Sequence, residues 1–175
     1  YTIVNKPGDT ILPPNPPVSS LYEGFGSSTP GGTGKQIVHV TNLNSTGAGS
    51  LYNAMGSNRI IVFDVSGTIN NFRWDVSDGR PVVSFLTIDG STAPGNGITI
   101  DNGHNGNGFS FQNGCHDVII KNIRVRNAGK SGSGDGINVV NGYNFIFDHI
   151  SSSGNGDGDI DLTDGTHDVT IQYCL

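Results

Sequence analysis

Carboxylates are where this sequence concentrates its chemistry. The segment NGDGDID (155–161) carries Asp157, Asp159 and Asp161 at alternate positions, and Asp135 precedes the run GINVV. Hard oxygen donors on a partly open surface suit Ca²⁺ better than Zn²⁺ or Mg²⁺. The segment resembles the opening of an EF-hand loop, but that loop's glycine and terminal Glu are missing. Isolated Asp-Gly pairs normally only solvate a turn, so a cation site requires these acids to converge from different parts of the chain.

Other reactive residues offer less. His116 and His167 occupy equivalent places before two strand-like runs, and His149 closes FIFDH; with no zinc spacing among them, turn or core packing is the expectation. Arg124 and Arg126 in NIRVRN read as surface charges, and no Ser-His-Asp arrangement follows from spacing. A phosphate-binding loop at GGTGK fails twice, because Thr29 stands where its first glycine belongs and Gln36 follows Lys35. Asn44-Ser45-Thr46 is a glycosylation sequon in a chain so rich in these residue types that chance explains it.

Composition limits what can position the acids. Of 175 residues, 27 are Gly, 14 Asp, 19 Asn, only 4 Ala and 7 Leu, so turn formers dominate and a helical bundle is excluded. Nine basic against fifteen acidic residues give a net charge of −6, which disfavours nucleic acid and anionic membranes as partners. An acidic protein that meets a polyanion needs a cation between them. No apolar run is long enough to cross a bilayer, and the first residues show no basic-then-apolar pattern. Cys115 and Cys174 do not make a disulfide framework.

Along the chain, residues 1–22 form a proline-rich lead expected as an extended arm, and 23–35 are loop. Strands are expected at 37–40, 59–65 and 82–89, with GSLYNAM (49–55) the one plausible helix. The second half repeats: GITIDNG, GFSFQNG, GINVVNG and DIDLTDG each place two apolar residues around one other and close on Asn-Gly or Asp-Gly. After three of these turns come DVIIKNI, NFIFDHI and DVTIQYC. Unit lengths in the twenties, with short strands and no helix, indicate a parallel β-solenoid rather than a sandwich, whose Asn-Gly turns would be antiparallel hairpins.

Successive coils stack about 4.8 Å apart. Ile98, Ile100, Phe109, Phe111, Ile137, Val139, Ile160 and Leu162 are expected to point inward, with the residues between them pointing out. Placing GINVVNG on DIDLTDG puts Ile137 under Ile160, Asn138 under Asp161, and Asp135 under Gly158 between Asp157 and Asp159. Four carboxylates then share one outer face, separated by roughly one coil spacing. Their mutual repulsion must raise proton affinities or draw in a cation.

Taken in order, EGFGSSTPGGTGK, VHVTNLNSTGAGSL, RIIVFDVSGTI, LTIDGSTAPG, DVIIKNIRVRN, GDGINV, NFIFDHISSS and DGDIDLTDGTHDVTIQYC resemble successive blocks of the pectate lyases, polysaccharide lyase family 1. The Asp148-His149 pair and DGDID are the most specific of these blocks. The resemblance covers residues 23–175, the N-terminal and central part of the family's pattern. It implies an all-β, right-handed parallel β-helix and a secreted, monomeric enzyme that cleaves α-1,4-polygalacturonate by β-elimination. In that chemistry Ca²⁺ links protein acids to uronate carboxylates, and an arginine removes the C5 proton.

Carried over residue by residue, the resemblance implies Asp135, Asp157 and Asp161 as calcium ligands. Asp159 departs from a position that is usually small or apolar, and is an auxiliary ligand or a bystander. Ser133 stands where a further ligand sometimes lies, which implies a three-acid site. Arg124 and Arg126 match the coil before the calcium site, not the base, so no catalytic residue is assigned and the base is expected beyond Leu175, in a helix incomplete at its C-terminus. The alternatives are a non-catalytic β-helical carbohydrate-binding or adhesive protein, and a pectin lyase acting on methylated substrate without the metal-binding acids.

Overall fold

The computed structural model describes residues 21–129 and 132–175. The proline-rich lead expected at 1–22 therefore lies, except for Leu21 and Tyr22, outside the described residues. Strand β1 (Gln36–Val40) is followed by the one-turn helix α1 (Leu51–Ala54), capped by Ser50, whose hydroxyl accepts the Asn53 N–H. This is the helix expected at 49–55, trimmed to its centre.

The chain then winds repeatedly through three strands. One winding is β2 (Arg59–Phe63), β3 (Gly67–Asn70) and β4 (Trp74–Asp75); the next is β5 (Ser84–Asp89), β6 (Ile98–Asp101) and β7 (Phe109–Gln112). A third is β8 (His116–Lys121), β9 (Ile123–Arg126) and β10 (Ile137–Val140). A fourth is β11 (Tyr143–Asp148), β12 (Ser151–Ser153) and β13 (Ile160–Thr163), after which β14 (His167–Gln172) begins another.

Every pairing is parallel. A long sheet runs β1-β2-β5-β8-β11-β14, a second β4-β7-β10-β13 and a third β3-β6-β9-β12. The fold is a parallel β-helix, as the repeat requires. Its interior is a column of side chains: Phe109, Phe111, Phe145 and Phe147 are fully buried, with ring centroids of neighbouring pairs 5.6 to 6.1 Å apart. Each such burial stabilises the fold by about 1.5–3 kcal/mol. Ile160 is only half-buried, and Leu162, in register with buried Val139, is 36% exposed because β13 is an edge strand of its sheet.

The abundance of Asn and Asp has a backbone cause. Asp117, Asn144 and Asp168 stand at matching places in the long sheet with φ of 55°, 57° and 55°. The register steps over these residues, pairing His116 with Tyr143 and Val118 with Phe145. Asn113, Asn141 and Asp164 repeat this conformation at the turns after β7, β10 and β13. Asn and Asp tolerate the left-handed region better than other residues with a Cβ, so they recur at the corners.

Candidate site: a carboxylate group on neighbouring coils

Strands β10 and β13 pair Ile137 with Ile160 and Asn138 with Asp161. The ladder continues upstream of both strands, where the Gly136 N–H donates to the Gly158 carbonyl at 3.0 Å and the Asp157 N–H to that of Gly134 at 3.2 Å. Residues 134–136 therefore lie beside 157–159. Asp135 is 8% exposed, and its Oδ1 accepts the Gly158 N–H at 2.7 Å.

Burial pushes the Asp135 carboxyl above the usual carboxylate range; the Gly158 N–H opposes the rise, and the negative charges of Asp161 and Asp157 add to it. Asp161 is half-buried, and Asp157 and Asp159 are exposed. Asp159 is engaged elsewhere. Its Oδ1 accepts the Asn155 side-chain amide at 2.5 Å, and Asn155 in turn donates to the Ser152 hydroxyl at 2.8 Å and accepts the Ala128 N–H at 2.9 Å.

Among the described residues, no three acidic, histidine or cysteine side chains stand close enough, as placed, to hold a metal ion. The donor chemistry of Asp135, Asp157 and Asp161 nonetheless fits a hard cation. All their ligand atoms are oxygen, and their charges act on one buried carboxylate whose ionisation a cation would ease.

The remaining candidates are dispersed. Arg124 and Arg126 lie on β9, in a different sheet from the acids. Arg124 donates to Thr99 Oγ1 and the Asn96 carbonyl, both at 2.8 Å, and Arg126 to the Ser151 carbonyl at 2.6 Å and its hydroxyl at 2.9 Å. His116 and His167 stack on opposite faces of Tyr143, at centroid distances of 4.8 and 5.5 Å. Their Nδ1 atoms pair with Asp117 and Asp168. His149 Nδ1 pairs with Asp148 at 2.8 Å. Lys35 lies over the Phe85 ring and leads into β1, a strand where a phosphate-binding loop would need a helix. Ser133 is exposed.

The residues between inward positions point out, as expected, but outward is not exposed: Ser110 is fully buried and Asn138 is 7% exposed. Polar neighbours cover them, Gln112 and Asp161 among them. The signal that sequence reading passed over is a column: Asp75, Ser110, Asn138 and Asp161 fall in register on four successive strands, all polar.

No protein-family model matches the chain. Curated proteins do. The probable pectate lyase C of Emericella nidulans is 42% identical over 153 residues, 86% of this chain and 34% of that protein. Its namesake in Aspergillus fumigatus is 41% identical over 156 residues, 87% of this chain and again 34% of the relative. Over most of its length the chain is thus similar to part of proteins named pectate lyase. It spans about a third of the length of these relatives. Among solved structures, the cedar-pollen major allergen Jun a 1 superposes with a TM-score of 0.68 at 25% identity, covering 85% of this chain and 46% of that one. No helix among the described residues is long and apolar enough to cross a membrane.

Proposed function

We propose that the protein is a secreted, calcium-dependent lyase of de-esterified pectin that cleaves α-1,4-polygalacturonate by β-elimination. The observation that carries this reading is the convergence on Asp135: in a chain similar to pectate lyases, a buried carboxylate on one coil accepts the Gly158 N–H of the next, where Asp157 precedes and Asp161 follows. Bound there, calcium would supply the positive charge that attracts a polyuronate to an acidic surface and polarises its carboxylate, acidifying the neighbouring C–H.

The chain's own contribution is to place the ligands. The β10–β13 register fixes Asp161 one coil from Asn138, and the Gly158 N–H holds one oxygen of Asp135. Asp159, one oxygen of which accepts the Asn155 amide, stands beside these three as an auxiliary ligand or a bystander. Arg124 and Arg126 are committed to partners on another sheet, so this reading assigns the proton-abstracting base to neither.

The test is growth of ultraviolet absorbance from unsaturated uronate ends when the whole protein meets polygalacturonate, with calcium present and then chelated. Product that depends on calcium supports the reading. No product with calcium defeats the lyase assignment, and equal product after chelation, with preference for methylated substrate, replaces it by a pectin lyase.

A further inference from the structure

The outer face of the acid-bearing sheet carries more organisation than its carboxylates. Asp75, Ser110, Asn138 and Asp161 follow one another in register across β4, β7, β10 and β13, and the first three are at most 7% exposed. Buried polar groups need partners, and here the partners are each other. The Gln112 amide donates to Ser110 Oγ at 2.8 Å, the Ser110 hydroxyl to Asn138 Oδ1 at 3.3 Å, and the Asn138 amide to Asp161 Oδ2 at 3.2 Å.

The direction of this chain is fixed by chemistry at both ends. A carboxylate can only accept and an amide nitrogen can only donate, so Asn138 must turn its NH₂ to Asp161 and its oxygen to Ser110. At the far end Gln112 also lies 3.4 Å from Asp75 Oδ1, and Arg73 grips Asp75 at 3.0 Å and Asp78 as well. The relay is anchored on an ion pair.

We propose that Asn138 is a positioning residue for the cation site, holding the Asp161 carboxylate by one oxygen and leaving the other for the ion, with Ser110 and Gln112 fixing Asn138 in turn. The proposal rests on the calcium reading above. Its physical content is preorganisation. The terminal torsion of an aspartate is broad and poorly defined when unsupported, so a ligand that no donor holds must be ordered when the cation arrives. Hydrogen-bonded supports behind metal ligands commonly account for roughly ten- to hundredfold in affinity.

The experiment is titration calorimetry of the whole protein with calcium, comparing Asn138→Leu, Ser110→Ala, Ser110→Thr and Asp161→Asn. Asn138→Leu is expected to weaken calcium binding about tenfold with one site retained. Ser110→Ala should weaken it less, and Ser110→Thr, which keeps the hydroxyl, should restore it. That rescue separates positioning from a general packing defect. Unchanged affinity in Asn138→Leu, with Asp161→Asn weakened, overturns the relay and leaves the calcium site standing. Unchanged affinity in Asp161→Asn as well removes Asp161 from the ligand set and the relay with it, while absence of calcium binding in the unmodified protein removes the calcium reading itself. If Asn138→Leu does not fold, equal affinities in Ser110→Ala and Ser110→Thr overturn the proposal.

Discussion

Two outward faces of the same helix meet the problem of burial in opposite ways. On the long sheet, the outward column Thr87, Ile119, Ile146 and Thr170 is buried, because the loop that precedes β1 is laid across it. The Gly26 N–H donates to Thr170 Oγ1 at 3.1 Å and the Gly32 N–H to Thr87 Oγ1 at 2.9 Å. A Cβ at Gly32 would strike the Arg59 carbonyl, so only glycine lets the strap approach this closely. On the acid-bearing sheet the corresponding column is Asp75, Ser110, Asn138 and Asp161, which covers itself with polar contacts. A face roofed by backbone can be half apolar with two hydroxyls to meet the strap; a face without a roof keeps its polar groups and satisfies them sideways.

The largest expected effect comes from breaking the roofed face. Gly32→Ala forces the strap off the Arg59 carbonyl and is expected to lower stability by about 2–3 kcal/mol in urea unfolding, with calcium affinity unchanged. A loss of calcium affinity equal to that of an acid substitution would show that the two faces are not independent. Next, Asp161→Asn removes a proposed ligand and should weaken calcium binding about tenfold, equivalent to ~1.4 kcal/mol, while calcium-free stability holds. Calorimetry and thermal melting of one sample check both halves. Thr87→Val strands the buried Gly32 N–H and is expected to cost about 1 kcal/mol in unfolding experiments, again without touching calcium affinity.

The smallest effect sharpens the site by its sign. Asp135 binds a proton more readily when folded than an ordinary carboxylate does, so the folded protein holds more protons than the unfolded chain just above the ordinary carboxylate range. Calcium-free stability should therefore rise as pH falls through the raised value and decline as pH increases through it. Asp135→Asn keeps the acceptor for the Gly158 N–H but removes the charge. Melting temperature against pH in chelator should flatten in this variant, and a profile identical to the unmodified protein would show that burial and the neighbouring acids do not raise the Asp135 carboxyl. Calcium should reverse the trend in the unmodified protein, since it competes with the proton.

How much of this could be read in advance depended on distance along the chain. The strands of the second half, their parallel stacking and the partner of Asn138 follow from a repeat in which one unit predicts the next. The corners were legible as Asn-Gly and Asp-Gly because the left-handed conformation is a local matter. Asp159 shows where that reasoning ended: alternation put it on the acid face, and Asn155, four residues away, holds its carboxylate. Spacing places a Cα but does not choose a hydrogen-bond partner.

By itself, then, the sequence determined the winding, the inward apolar column and the neighbouring placement of Asp135 with Asp157 and Asp161, because a periodic backbone repeats its own local preferences. Only tertiary structure decided which outward faces are covered. The strap reaches Thr170 from Gly26 across 144 positions, and Ser110 and Asn138 are buried by residues from other coils. It also decided that Arg124 and Arg126 lie on a sheet apart from the acids. Burial is a property of what arrives from elsewhere in the chain, and no local pattern encodes it.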